Sequence, residues 1–262
     1  MIAIKNEHEL EAMREACKIT AAARALAGKM VRPGVSTKAI DQAVHDYIVS
    51  QGAKPSFLNY SGYPASACIS VNSTVIHGIP GHYILRDGDI VSVDVGAYYK
   101  GFHGDCAATY ACGSISTEAQ KLIDVTRQSF FEGIRFAKKG MRVQDISHAV
   151  QTYVESNGFA VVRSFVGHGV GRNLHEEPEV PNYGAPGHGP RLLPGMTIAI
   201  EPMICQYDYK IKQLSDGWTV KTKDGGLAAH FEHSIAILKD HTEIMTRFWD
   251  DPDFDPEKFS LK

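Results

Sequence analysis

His168 and His175 stand seven residues apart in VGHGVGRNLHEEP, Val166 to Pro178, the first between glycines and the second ahead of two glutamates. Imidazole and carboxylate are the side chains that bind divalent metals and move protons near neutral pH. The stretch has no regular hydrophobic period, so it reads as loop or strand end. A lone histidine is more often structural than functional. The chemical reading therefore depends on whether carboxylates elsewhere converge on this segment.

Strand alternation supplies them. In the run ending at Gly96, Val91, Val93 and Val95 face one way, and Ser92, Asp94 and Gly96 the other. The chain continues AYYKGFHGD. A fold-back at Tyr99–Lys100 would set Asp94 directly opposite Asp105, where like charges at roughly 4.5–5.5 Å are destabilising. Such a pair needs a cation between its members, or one must hold a proton. Cys106 alternates to the other face and reads as packing.

In GMTIAIEP, Met196, Ile198 and Ile200 oppose Thr197, Ala199 and Glu201. In AAHFEHSIAIL, Phe231, His233, Ile235 and Ile237 oppose Glu232, Ser234 and Ala236. If the two halves of the chain superpose, Asp94, Asp105, His168, Glu201 and Glu232 can point at one spot. Four carboxylates and a neutral imidazole balance two divalent cations. An oxygen-rich set without thiolate suits Mn²⁺, Fe²⁺ or Co²⁺, and is compatible with Zn²⁺. Two such ions about 3.5–4 Å apart can share a bridging water, lower its pKa from about 15.7 toward neutral and so make a nucleophile.

The elements that would hold these groups recur. Gly34–Gly52 and Gly140–Gly158 lie at an offset of 106 and share Gly34/Gly140, Ile40/Ile146, Ala43/Ala149, Val44/Val150, Tyr47/Tyr153, Ser50/Ser156 and Gly52/Gly158. Both carry apolar residues at helical spacing and a glycine where a helix would stop. Longer helical patterns precede them, over Glu7–Met30 and Thr117–Lys139. LRDGDIVSVD and LLPGMTIAIE follow at an offset of 107, which makes Asp94 and Glu201 equivalent. The pattern predicts an α+β fold. Two α/β halves, about 7–115 and 116–248, are related by a pseudo-twofold within a single domain spanning 1–262. Their strands meet in one curved, largely antiparallel sheet covered by helices.

Composition narrows the class. The 262 residues can bury a sizeable core, and 44% apolar with 22% charged residues is ordinary for a globular protein. A net charge of −3 gives no reason to expect a nucleic-acid or anionic-membrane partner. No apolar run is long enough to span a bilayer. The charged, amphipathic start lacks the apolar stretch of a signal peptide, so a cytoplasmic location is expected. The five cysteines are odd in number and scattered, which argues against a disulfide framework and a structural zinc site.

The segments DVGAYYKGFHGD, GHGVGRNLHEEP, AIEP and FEHSIAI resemble the ligand segments of type I methionine aminopeptidases, and the likeness extends over about residues 5–248. The resemblance implies the pita-bread fold, two pseudo-symmetric halves enclosing a dinuclear metal site. It implies Asp94 as a chelating ligand of one metal, Asp105 and Glu232 as bridging ligands, and His168 and Glu201 as ligands of the other. It places His77, in STVIHGIPG, and His175 against substrate rather than metal.

It also implies the activity, removal of initiator methionine from nascent polypeptides whose second residue is small, through attack of the bridging water or hydroxide on the Met carbonyl with Glu201 as general base. Tyr60, Tyr63, Cys68 and Trp218 would line the methionine slot. Two positions depart from the usual bacterial pattern: Phe57 stands where Cys is common, and Leu174 where Phe is common. Leu174 loses aromatic contact with the Met thioether, and Phe57 can restore bulk on the opposite wall. A monomer is expected, with nascent N-termini as partners and any ribosome contact transient.

Rival readings are narrower. A prolidase or aminopeptidase P has a similar ligand set but usually carries a large N-terminal domain, and here the first ligand is already at residue 94. A type II enzyme carries an insertion, which the short spacings His168–Glu201 and Glu201–Glu232 do not accommodate. An inactive homologue serving as a binding module would have lost ligands, and all five are present.

Overall fold

The computed structural model describes residues 1–248; the end of the expected domain, 249–262, lies outside the described residues. Among the described residues four α-helices, α1 (Glu7–Met30), α2 (Thr37–Ser50), α3 (Thr117–Ile134) and α4 (Val143–Ser156), accompany fifteen strands. In chain order the strands are β1 (Lys54–Pro55), β2 (Ala67–Val71), β3 (Thr74–Ile76), β4 (Ile90–Tyr99), β5 (Phe102–Ala111), β6 (Ala160–Val161), β7 (Gly167–Gly169) and β8 (Glu176–Val180). They continue as β9 (Thr197–Ile200), β10 (Met203–Cys205), β11 (Ile211–Gln213), β12 (Val220–Thr222), β13 (Ala228–His230), β14 (Glu232–Ile237) and β15 (Thr242–Ile244).

The helices start where side chains can satisfy their free N–H groups. Asn6 accepts from the Glu9 amide at 3.1 Å while Glu9 accepts from the Asn6 amide at 2.9 Å, a reciprocal cap. Ser36 and Ser116 cap α2 and α3 one way only, each hydroxyl accepting at 3.1 Å from the amide three residues on. The α3 pattern was expected to run to Lys139 but the helix ends at Ile134. Beyond it the chain tightens into i→i+3 bonds (Phe136 to Gly133, Ala137 to Ile134). Ala137 is thereby buried and its carbonyl receives the Thr242 hydroxyl.

Nine strands form the main sheet, with a path β1-β4-β5-β14-β9-β7-β8, to which β2 adds on β4 and β15 on β14. Every pairing in it is antiparallel. One face packs on helices. Val91, Val93, Val95 and Ala97 of β4 join Ile40, Val44 and Ile48 of α2 and Ala23 and Ala27 of α1 in one buried cluster. Ile198, Ile200, Phe231, Ile235 and Ile237 join Leu122 and Phe130 of α3 and Ile146 and Val150 of α4 in another. The apolar rows read by alternation are thus the helix-facing rows.

The repeat is written into hydrogen bonds. Gly34 N donates to Leu85 O and Gly140 N to Leu192 O, each at 2.9 Å; Leu85 N donates to Val35 O and Leu192 N to Met141 O, each at 2.8 Å. The lone bridges Ser36–Ile84 and Arg142–Arg191 fall at the same offsets of 106 and 107. Gly34 and Gly140 share φ values of 88° and 90°, a left-handed turn that glycine adopts without a Cβ penalty.

The hairpin between β4 and β5 corrects the expected register. Asp94 pairs with Ala107, and Asp105 with Gly96. The turn is Lys100–Gly101, with φ of 47° and 88°, rather than Tyr99–Lys100. A two-residue hairpin turn with positive φ at both centres strongly favours glycine at the second, and Gly101 is the residue that meets this demand. The shift is two residues, so both aspartates stay on the same face but become diagonal neighbours.

Candidate metal centre and active site

Diagonal placement still brings the two carboxyl groups close enough for each to act on the other's ionisation. β14 lies along β5 with Glu232 opposite Ala107. Ser234 locks that seam: its hydroxyl donates to Asp105 O at 2.8 Å and accepts from Asp105 N at 3.1 Å. Glu201 follows the last residue of β9 and is held by its own carbonyl, which accepts from Asn182 Nδ2 at 2.9 Å. His168 sits in β7, which pairs with β9 on the far side.

The five side chains meet. His168 Nε2 is 3.4 Å from Glu201 Oε1 and 3.8 Å from Asp105 Oδ2. Single ligand atoms of Asp105, His168 and Glu232 lie within 4.8 Å of one another. His168 Nδ1 is 2.8 Å from Gly169 O. A carbonyl only accepts, so Nδ1 carries the hydrogen and Nε2 turns a lone pair toward carboxylates. Burial holds this imidazole neutral, its pKa down at about 3.

Burial also pushes the acids up, to about 7 for Asp94 and about 8 for Glu201, with Asp105 and Glu232 raised well above the carboxylate range by burial and then by their acidic neighbours. Asp94 Oδ1, Asp105 Oδ1 and Glu232 Oε1 are buried without a hydrogen-bond donor. Orphaned buried acceptors beside a lone-pair nitrogen are what a divalent cation satisfies.

The same electrostatics predict a pH response of protein stripped of metal. Unfolded carboxyls lose their protons near pH 4, whereas these hold them toward pH 7–8 and above. The folded state thus binds more protons and loses stability as pH rises through that window. His168, and His77 with its pKa lowered to about 4 by burial, act oppositely, but only below the ordinary histidine pKa of about 6.5. Chelator-treated protein should therefore melt lower at about pH 8.5 than at about pH 6.5. Added Mn²⁺ should raise Tm more at the higher pH. A stripped protein that is more stable at the higher pH would contradict the assignment.

Every residue expected at the site lines one cavity of about 340 Å³. Beside the four acids and the imidazole lies an apolar cluster of Phe57, Tyr63, Cys68 and Leu174, with Trp218 packed against it. Cys68 pairs directly with Asp94, so the slot opens beside the carboxylates. The Tyr63 hydroxyl reaches Ala67 O and Gly78 O at 3.1 and 3.0 Å, and the ring meets Trp218 edge-on at 5.1 Å. Phe57 packs on bare backbone: a Cβ on Gly96 would fall 2.8 Å from its ring. Phe57 and Leu174 are 7% and 2% exposed in the same cluster, so the two departures from the usual bacterial pattern lie together.

Tyr60 stands at the rim, 38% exposed, its hydroxyl 2.7 Å from His175 Nδ1. The His175 ring lies 4.2 Å, centroid to centroid, from His168. His77 adopts φ 57°, a sparsely used region, and sits edge-on to Phe165 and Trp218. Gly78 pins it, because a Cβ there would fall 2.3 Å from Ile69 O.

Four cavity residues, Ile76, Ser164, Phe165 and Val166, were not foreseen from the sequence. Nor was His230, buried with Nε2 3.6 Å from Glu201 Oε2. Its signal was available: two residues before Glu232, it shares that residue's face by alternation. Cys106 pairs with Val95 and His233 on the helix side, as expected.

The arrangement defines a class. Residues 11–239 match the model of metallopeptidase family M24, and the chain belongs to that family, a divalent-metal-dependent hydrolase with the pita-bread fold. Among its relatives, the methionine aminopeptidase of Clostridium perfringens is 54% identical over 246 residues, 94% of this chain and 99% of the relative. Methionine aminopeptidase 1 of Bacillus subtilis is 51% identical, covering 94% and 100%. The solved methionine aminopeptidase of Thermotoga maritima superposes with a TM-score of 0.93 at 44% identity, over 95% of this chain and 100% of that one. The prolidase of Pyrococcus furiosus, 22% identical with a TM-score of 0.77, shares the fold; this chain spans 65% of it.

Proposed function

We propose that the chain removes N-terminal methionine from nascent polypeptides, using two divalent ions held by Asp94, Asp105, His168, Glu201 and Glu232. The observation that carries this reading is the set of orphaned buried carboxylate oxygens facing a neutral imidazole, beside an apolar slot. The halves 7–115 and 116–248 work as one catalytic unit, since Asp94 and Asp105 come from the first and the other three ligands from the second. Among the described residues no helix is long and apolar enough to cross a membrane, in keeping with action on chains in the cytoplasm.

Bound ions, of Fe²⁺, Mn²⁺, Co²⁺ or Zn²⁺, supply Lewis acidity and lower the pKa of water. The slot formed by Phe57, Tyr63, Cys68, Leu174 and Trp218 takes the methionine side chain and sets its carbonyl beside the acids. Glu201 accepts a proton from the attacking water and delivers it to the leaving amide nitrogen. With Tyr60 donating to Nδ1, His175 carries its hydrogen on Nε2 and offers it to the developing oxyanion. His77 hydrogen-bonds the scissile amide. Water is thereby divided between free methionine and a peptide with a new amino terminus. The deciding experiment is metal content and hydrolysis of a Met-Ala-Ser peptide by the same preparation; protein that binds metal but leaves the peptide intact would refute the reading.

The reading extends to a polypeptide that starts MIAIKN, the order of residues 1–6. The residue after Met must sit beneath His77 and His175, where a larger side chain overfills the site at a cost of about 1–3 kcal/mol, or roughly 5–150-fold in rate. Ile2 exceeds Val by one methylene. In cells where this is the sole enzyme of its kind, intact mass should show Met1 retained, and Ile2→Ala should yield a chain beginning at the alanine. An unaltered chain starting at Ile2 would show that the position after Met is wider than proposed.

A further inference from the structure

The acidic pair that follows His175 splits in the structure. Glu177 is exposed, whereas Glu176 turns inward. Glu176 Oε1 accepts from the Asn173 amide at 3.1 Å, closing the turn that joins β7 to β8. Glu176 Oε2 meets Lys5 Nζ at 2.5 Å, in a pair whose side chains are only 9% and 4% exposed.

Lys5 arrives from the opposite end of the chain, just ahead of the α1 cap, and its amide donates to Gly195 O at 2.8 Å. Its stem lies along Gly171, where a Cβ would fall 2.5 Å from Cε and 2.7 Å from Nζ. Gly171 is held in turn, its carbonyl accepting from His103 N at 2.8 Å and its amide donating to Asn173 O at 3.1 Å. Among the described residues Lys5 is the one cation paired with Glu176.

We propose that Lys5 is a positioning residue for the hydrolysis. The inference rests on the function proposed above. Lys5 holds Glu176, Glu176 closes the turn Gly171–Glu176, and the turn presents His175 to the reacting carbonyl. His175 is tied on its cavity side through the Tyr60 hydroxyl. The adjoining buried ion pair fixes the backbone that carries it. A buried pair is weak evidence for net stability, but its geometry is demanding, and removing one partner leaves the other charge uncompensated. Without Lys5 the Glu176 carboxylate must seek water, and the turn follows it.

The test uses full-length, metal-loaded protein, assayed well below its melting temperature on Met-Ala-Ser. Lys5→Met should lower kcat by about tenfold or more, the scale seen when a partner that orients a site residue is removed. KM and metal content should hold, and Lys5→Arg should recover much of the rate. A tetrahedral phosphonate analogue of Met-Ala should lose affinity in step with kcat/KM, while free methionine should bind as before.

If Lys5→Met is poorly folded, Lys5→Met/Glu176→Gln removes both charges together. It should show the same loss of kcat with metal retained. A kcat within about twofold of the parent in either variant, or a loss that tracks departing metal, overturns the proposal. An inactive parent would instead refute the proposed function.

Discussion

Asp105→Asn is expected to cost the protein its metal pair and its peptidase activity together. The substitution keeps shape and removes one negative charge from a residue 3% exposed, 3.8 Å from His168 Nε2 and hydrogen-bonded to Asp94. Changing a group that merely orients a metal ligand costs about 10–100-fold in affinity or activity; deleting the charge of a residue proposed to serve both ions should cost more. The fold should survive, because Asp105 is tied into the sheet through its backbone to Ser234, which the amide leaves intact. Metal analysis, peptide hydrolysis and circular dichroism on one preparation decide the matter. A variant with two bound metals and parental activity would remove Asp105 from the ligand set.

His175→Ala should separate chemistry from binding. The ring lines the cavity with its Nδ1 taken by the Tyr60 hydroxyl and lies outside the proposed ligand set, so metal content should match the parent. Loss of one donor to a developing oxyanion typically lowers kcat by about 10²–10³-fold. Single-turnover hydrolysis and metal titration distinguish the cases. If the metals leave with the imidazole, His175 is itself a ligand and the division of roles fails.

Much of this site was legible from residue order, and the reason is geometric. A period of two fixes which side chains share a sheet face, and Asp94, Asp105, Glu201 and Glu232 all kept the faces that alternation assigned. The hairpin register did not, because turn placement depends on a positive φ at Gly101 rather than on hydrophobic pattern. The two-residue error left the aspartates on one face, so the carboxylate cluster survived it.

The repeat was legible because the same turn glycines and helix stripes serve both halves, down to matching backbone bonds. His230 escapes the alternation of β14 because it ends the preceding strand, β13, across the break at Phe231. Lys5 and Glu176 are a different case. They lie 171 residues apart with no shared period, and only the packed structure brings the N-terminal arm beneath the turn.

The two halves meet in the main sheet where β5 runs beside β14, and outside it where β12 pairs with β3. β5 and β14 share two ladder positions, Glu232 with Ala107 and His233 with Cys106, reinforced by the Ser234 hydroxyl on Asp105. The proposed ligands hang from both sides of the β5–β14 join, so ions bound there would also fasten one half of the molecule to the other. Metal-free protein would then open more readily and meet proteases more often, so metal supply would set how long each copy lasts as well as how fast it works.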